Sequence, residues 1–282
     1  MNFLVTNDDG YAAQGIQALV RAVRKFGSVT VIAPKYHQSG MAMAVSMGFK
    51  PIAVKELGEI DGVRWIYLDG TPASCVKFGV DEVFTEGKPD LVISGINHGS
   101  NAATAACYSG TLGAAMEAAV NGIPAIGVSL DCMNTVADFS AVEALFPSIL
   151  ERIMELHDGK FGSFYNVNFP NIPADSIKGI RVGHMGIGHW EREFMDWDPS
   201  FFSKFGIDHT KYGLATPDVE CEEGERLYMM VGDFTDDPMN DDRSDHRLLE
   251  AGYISVVKHN FDNTDIKGSE ALKSGLETDF KA

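Results

Sequence analysis

Phe3-Leu4-Val5-Thr6 is a short apolar run that ends in the polar turn Asn7-Asp8-Asp9-Gly10, and Ile16, Leu19, Val20 and Val23 follow at helical spacing. A strand, a loop and a helix are predicted in that order. Val29-Thr30-Val31-Ile32-Ala33 reads as a buried strand stopped by Pro34, and further apolar strands are predicted over Trp65–Leu68, Leu91–Ser94 and Ala125–Leu130. Helix-length segments, Pro72–Val83 and Leu112–Val120, lie between them. Strands apolar on both faces that alternate with helices predict an α/β fold, a mostly parallel sheet with helices on both faces. In such sheets ligands sit beyond the carboxyl ends of the strands, and Asp8, Ser39 and Asn97 all stand just past predicted strand ends.

After a predicted helix over Phe139–Leu156 the pattern changes to short runs at Phe164–Phe169 and Ile180–Val182, scattered Gly and Pro, and an acidic stretch. Residues 218–250 hold 12 acidic and 3 basic side chains, which predicts a solvated arm or hairpin rather than a metal-buffering or partner-binding segment. The 282 residues suit one large domain, or one with a substantial appendage. No internal repeat or low-complexity tract interrupts it.

Composition narrows the function classes. With 45% hydrophobic and 22% charged residues the chain is of the folding, globular kind. A net charge of −17 argues against a nucleic-acid polymer or an anionic membrane as partner. The charge is unevenly placed, −2 over residues 1–130 and −15 over residues 131–282, so the first half least opposes an anionic small molecule. Cys75, Cys107, Cys132 and Cys221 are widely spaced and form no CxxC, as expected of reduced thiols in a cytoplasmic protein. Met1 leads straight into the first apolar run with no basic leader, and no stretch approaches the ~20 apolar residues of a membrane span.

Several polar segments could carry chemistry. Asp8 and Asp9 place two carboxylates side by side, which repel unless a cation such as Mg²⁺ or Mn²⁺ compensates; the same tetrapeptide also suits a plain turn or helix cap. Gln38-Ser39-Gly40 offers a hydroxyl beside a flexible glycine, or simply a loop. Asn97, in the Gly-punctuated segment Ser94–Asn101, carries a neutral oxygen that a hard cation accepts. His98 suits either a general acid or a loop cap. Tyr108-Ser109-Gly110-Thr111 precedes a helix, where hydroxyls and N–H groups either bind phosphate or cap the helix. Gly70-Thr71-Pro72-Ala73 opens another helix and reads as a cap.

In this order and spacing these motifs resemble the SurE family of survival proteins, metal-dependent 5′-nucleotidases. The blocks are Thr6-Asn7-Asp8-Asp9-Gly10, Ala33-Pro34 with Gln38-Ser39-Gly40, Asp69-Gly70-Thr71-Pro72-Ala73, Ser94-Gly95-Ile96-Asn97 and Tyr108-Ser109-Gly110-Thr111. Gly252-Tyr253-Ile254-Ser255-Val256 looks like the family's closing strand. The resemblance implies a Rossmann-like catalytic domain, drawn here over residues 1–185, and a C-terminal extension over 186–282 whose hairpin and closing strand mediate homodimers or homotetramers. It implies one divalent metal ion per subunit, Mg²⁺ or Mn²⁺, held by Asp8, Asp9, Ser39 and Asn97. Gly40, Ser109, Gly110 and Thr111 would cradle the phosphate of a nucleoside monophosphate, and Asp8, Asp9 and Asn97 would be catalytic, with Asp8 or Asp9 acting on the attacking water. The family commonly has an Asp where this chain has Ala105 and a His where it has Met43, which bears on substrate preference.

Two other readings compete. A receiver-like or sensor domain would bind Mg²⁺ at an acidic pair without turnover. A haloacid-dehalogenase-like phosphohydrolase would form an aspartyl-phosphate, but such enzymes space their carboxylates as Asp-x-Asp, whereas Asp8 and Asp9 are adjacent.

Overall fold

Alternate residues of the first strand, β1 (Asn2–Thr6), face opposite sides of the sheet: Phe3 and Val5 join one apolar cluster and Leu4 another. The computed structural model describes residues 1–48, 51–132, 136–198, 200 and 222–276. From β1 the chain runs through α1 (Gln14–Val23), β2 (Ser28–Pro34), β3 (Val54–Ile60), β4 (Val63–Leu68), α2 (Pro72–Phe78), β5 (Leu91–His98) and α3 (Gly110–Val120). It continues through β6 (Ala125–Asp131), α4 (Ser140–Leu156), β7 (Ser163–Pro170) and β8 (Ile180–Val182). Then come β9 (Gly188–Glu191), β10 (Phe194–Asp196), β11 (Tyr228–Met230) and β12 (Asp233–Asp236), followed by α5 (Asp245–Glu250), β13 (Ile254–Asn260) and α6 (Ile266–Leu276).

Nine strands form one sheet in the order β3-β4-β2-β1-β5-β6-β7-β13-β8. From β4 to β7 every neighbouring pair is parallel, while β3 and β13 join antiparallel. Ile16, Leu19 and Val23 of α1 pack with Val142, Phe146 and Ile149 of α4 against the Phe3 face; Val76 of α2 and Leu112, Ala115 and Ala118 of α3 cover the Leu4 face. The predicted α/β fold, with helices on both faces, is the one observed. Strand order moves one way from β1 to β2 and β4, and the other way from β1 to β5, β6 and β7. The switch point between β1 and β5 is where such a sheet opens a crevice for a ligand.

Three departures from the sequence reading have physical causes. β5 does not stop at Ser94: after a register shift, Asn97 and His98 pair with Ser129 and Leu130, so Asn97 belongs to the strand rather than to the loop beyond it. β3 was not foreseen, because an edge strand solvated on both faces carries Lys55, Glu56 and Glu59 and shows no apolar run. The closing strand, read at Gly252–Val256 as part of a C-terminal extension, forms at Ile254–Asn260 inside the main sheet between β7 and β8, so the chain beyond residue 186 returns to that sheet. Between β8 and β13 the chain forms a hairpin, in which β9 pairs with β12 and β10 with β11, both antiparallel. Residues 199 and 201–221, including Cys221 and the first four positions of the acidic stretch, lie outside the described residues.

One buried charge ties the two helices of the Leu4 face together. Glu117 of α3 is 1% exposed and accepts from Lys77 Nζ of α2 and from Asn121 Nδ2, both at 2.8 Å. Removing the lysine strands the carboxylate, whereas removing both partners does not. Lys77→Ala is expected to cost about 2 kcal/mol in urea denaturation, discounted because the ammonium is half exposed, and Lys77→Ala/Glu117→Leu to recover most of it. Additive losses in the double variant would contradict the pairing.

Candidate functional site

The residues after β1 fold back on themselves: Asn7 Nδ2 donates to the Gly10 carbonyl at 3.0 Å, closing the turn that holds Asp8 and Asp9. Asp8 is 3% exposed, and the hydroxyl of Thr111, in the first turn of α3, donates to its Oδ1 at 2.5 Å. Gly110 is required beside it, since a Cβ there would stand 2.9 Å from Asp8 Cβ and 3.0 Å from Oδ2. Burial, then repulsion from Asp9, pushes the Asp8 carboxyl up to about 6, against the opposing pull of Thr111 and His37.

Asp9 is held from the other side. Its Oδ2 accepts the His98 backbone N–H at 3.2 Å, and its Oδ1 lies 3.3 Å from His37 Nδ1. Burial pulls the His37 imidazole down, but Asp9 and Asp8 outweigh it and hold its pKa above the ordinary value. Asn97 is buried, and its Nδ2 donates to the Gly99 carbonyl at 2.8 Å, which leaves the amide oxygen for another partner.

The loop after β2 closes over this edge. The Gln38 N–H donates to the Asp8 carbonyl at 2.7 Å, the Ala42 N–H to the Tyr108 carbonyl at 2.9 Å, and a Cβ on Gly113 would stand 1.9 Å from the Ala42 carbonyl. Farther on, Ser46 Oγ accepts from the Thr71 N–H and Ser74 Oγ from the Ser46 N–H, so the loop spans the starts of α2 and α3. Ser39 and Gly40 follow Gln38 on the exposed rim of that loop. Ser109 is the N-cap of α3, its Oγ accepting the Leu112 N–H at 3.1 Å, and Thr71 is the N-cap of α2. The Gly110 and Thr111 amides have no partner among the described residues, a helix start open to an anion.

Asp8, Gly110 and Thr111 therefore meet, Asp9 accepts the N–H of His98 next to Asn97, Ser109 caps the helix beside them, and Ser39 and Gly40 sit one and two residues beyond a direct contact with Asp8. Thr111 is fully buried and its hydroxyl is engaged by Asp8, so its backbone N–H is what remains for a phosphate. Two carboxylates with neutral oxygens from Ser and Asn fit a hard divalent cation. Among the described residues no group of three or more His, Cys, Asp or Glu could hold a metal, so softer, imidazole- or thiolate-based sites find no set.

Sequence reasoning missed His37, which contacts Asp9 across 28 positions with no ligand spacing to announce it. It also missed a buried amide network: Asn101 N–H to Asn168 Oδ1, Asn166 Nδ2 to the Asn101 carbonyl, and Asn101 Nδ2 to Ser129 Oγ, at 2.8, 2.8 and 2.9 Å. Asp245 extends it. That carboxylate has no exposure, and its Oδ1 accepts the N–H groups of Ala103, Gly186 and His246, each at 2.9 Å. It ties the loop after β5 to the base of the hairpin, where Thr104 Oγ1 also donates to the Gly188 carbonyl at 2.6 Å.

Residues 3–192 match the family described as "Survival protein SurE". The chain is 37% identical over 279 residues to a protein of Cytophaga hutchinsonii named "5′-nucleotidase SurE", covering 99% of this chain and 96% of that one. A protein of the same name from Syntrophobacter fumaroxidans is 43% identical over 188 residues, 66% of this chain and 74% of its own length. The crystal structure of the SurE protein from Aquifex aeolicus superposes with a TM-score of 0.75 at 29% identity, covering 97% of this chain and 99% of that one.

The carboxylate of Asp245 gives this edge a direct test. Asp245→Ala leaves three N–H groups, two of them in buried hydrogen bonds, without an acceptor and is expected to cost about 3 kcal/mol. Amide hydrogen exchange should speed up first at Ala103 and Gly186, and a uniform acceleration across the sheet would show that Asp245 pins nothing in particular.

Proposed function

This chain belongs to the SurE family of survival proteins, and on that premise we propose that it is a divalent-metal-dependent phosphomonoesterase hydrolysing nucleoside 5′-monophosphates. The observation that carries the reading is the adjacent pair Asp8 and Asp9 at the switch point, beside a helix start with open amides. The receiver-like alternative is not favoured, since relatives matched over nearly their whole length are named nucleotidases.

A phosphate monoester dianion repels hydroxide, so its hydrolysis needs charge neutralised on the phosphoryl oxygens and a water in line. A Mg²⁺ or Mn²⁺ ion, one per subunit, would be held by Asp8, Asp9, Ser39 and Asn97 and would supply that neutralisation and polarise the water. Thr111 fixes the Asp8 carboxylate by its hydroxyl, and the Gly110 and Thr111 N–H groups, with Gly40 and the Ser109 hydroxyl, receive the phosphate. Asp8 or Asp9 would orient or take a proton from the water.

Assembly into a dimer or tetramer fits the hairpin, which exposes Phe194, Tyr228 and Met230 on paired strands. No helix among the described residues is long and apolar enough to cross a membrane. Cys75 and Cys107 are free thiols, which suits a reducing, cytoplasmic setting.

Phosphate release from a panel of nucleoside monophosphates with Mn²⁺ or Mg²⁺ tests the reading. Asp8→Asn and Asp9→Asn should each lower it by at least about 10³-fold while the circular dichroism spectrum is kept; normal turnover in either folded variant would refute the site. A pH titration adds a second check. Because the cation must displace the proton that Asp8 retains up to about pH 6, Mn²⁺ affinity should be flat above that pH and fall as pH drops below it. A Kd constant from pH 5 to 8 in calorimetry would contradict this.

A further inference from the structure

At the far end of the sheet lies a cleft of about 380 Å³ whose lining includes Arg181, Asp242, Arg243, Arg247 and Tyr253. Its size falls in the range of small-ligand sites. Three guanidiniums in one concavity are unexpected in a chain of net charge −17, and more so in the half that carries −15.

Their partners differ. Arg247 is answered by Asp236, whose Oδ2 accepts from Nε at 3.1 Å and Nη2 at 2.7 Å. Arg181 lies over the Tyr253 ring, its guanidinium carbon 4.2 Å from the ring centroid, and spends one donor on the Ile180 carbonyl at 2.9 Å. Arg243 reaches only the Val182 carbonyl, at 3.4 Å. Among the described residues neither Arg181 nor Arg243 forms an ion pair, and Asp242 is the one carboxylate in the lining. A guanidinium carries five donors in a fixed fork, so most of the donors of these two are uncommitted.

We propose that this cleft is a second anion site, in which Arg181 and Arg243 bind the phosphoryl group of a small phosphate-bearing molecule. Tyr253 holds the Arg181 plane in place, and two forks from different elements match the several oxygens of a phosphate better than the two of a carboxylate. The site is distinct from the carboxylate pair: β8 stands five strand positions from β1, roughly 24 Å across the sheet. The binding chemistry holds whatever reaction Asp8 and Asp9 perform. Free phosphate and a nucleotide both supply the required group.

Equilibrium dialysis of the full chain, with chelator present so that no divalent ion assists binding elsewhere, tests the site. The probes are inorganic phosphate and a nucleoside 5′-methylenephosphonate, with citrate as a carboxylate-only competitor. One equivalent of probe is expected per chain, retained in Asp8→Asn and weakened at least about tenfold in Arg181→Ala/Arg243→Ala. Equal affinity for the two probes would identify free phosphate as the ligand, and tighter binding of the phosphonate a nucleotide; both support the proposal. Undiminished binding in the double variant, loss in Asp8→Asn, or displacement by citrate as effective as by phosphate would overturn it. If the alanine variant does not fold, Arg181→Gln/Arg243→Gln is read the same way. Nucleotide hydrolysis with metal should stay within about twofold of the unaltered chain in the folded double variant, which separates this site from the catalytic one.

Discussion

A carboxylate removed from water beside a second carboxylate sets the terms for everything around it. Asp8 is nearly inaccessible, yet it stands next to Asp9, just past the end of a strand whose middle, Phe3-Leu4-Val5, is buried and apolar. Each neighbouring feature reduces that cost. Thr111 donates to the carboxylate, the start of α3 brings its amides and the positive end of its dipole to the same place, Gly110 makes the close approach sterically possible, and His37 faces Asp9. The result still leaves Asp8 with a raised pKa, which means the protein atoms alone do not fully stabilise its charge. That shortfall is what the proposed cation would answer.

The same constraint explains which parts were legible in the chain. Apolar runs stopped by Asn, Asp, Gly or Pro are local signals, so β1, β2, β4, β5 and β6, and the turn that carries Asp8 and Asp9, could be located from pattern alone. Ser109 was visible as a helix start for the same reason, although the chain could not say that Thr111 would turn its hydroxyl on Asp8 rather than toward a ligand. That is decided by where β1 delivers Asp8 beneath α3, a contact across 103 positions. His37, Asn166, Asn168 and Asp245 were illegible because their partners lie 28 to 142 residues away and none stands in a ligand motif. β3 escaped because a solvated edge has no hydrophobic face to display.

The acidic second half is organised around a few cations rather than evenly solvated. Asp236 accepts from Asn240 Nδ2, His246 Nε2 and both Nε and Nη2 of Arg247, which holds its carboxyl down to about 2 and fastens the hairpin's last strand to α5. Exposed pairs such as Arg226 with Asp196 contribute little by comparison. Against that background Arg181 and Arg243 stand out because acidic side chains outnumber basic ones there, 29 to 14 over residues 131–282, and folding still left both without a carboxylate.

The return of the chain into the sheet gives the hairpin a mechanical connection to the edge that carries Asp8 and Asp9. β13 pairs with β7, which carries Asn166 and Asn168; these hold Asn101, and Asp245, just ahead of β13, holds Ala103 and Gly186. Asn101 and Ala103 lie on the one segment that runs from Asn97 to Ser109. A displacement at the hairpin base must therefore either break buried hydrogen bonds, at about 1–3 kcal/mol for each group stranded, or carry the Asn97–Ser109 segment with it. Ala105 sits in the middle of that segment with no polar atom on its side chain, so the segment is held by its neighbours: Asn101 on Ser129, Asn166 and Asn168, Thr104 on the Gly188 carbonyl, and the Ala103 N–H. The last of these runs to Asp245, an acid that belongs to the last quarter of the chain and also holds Gly186 at the hairpin base.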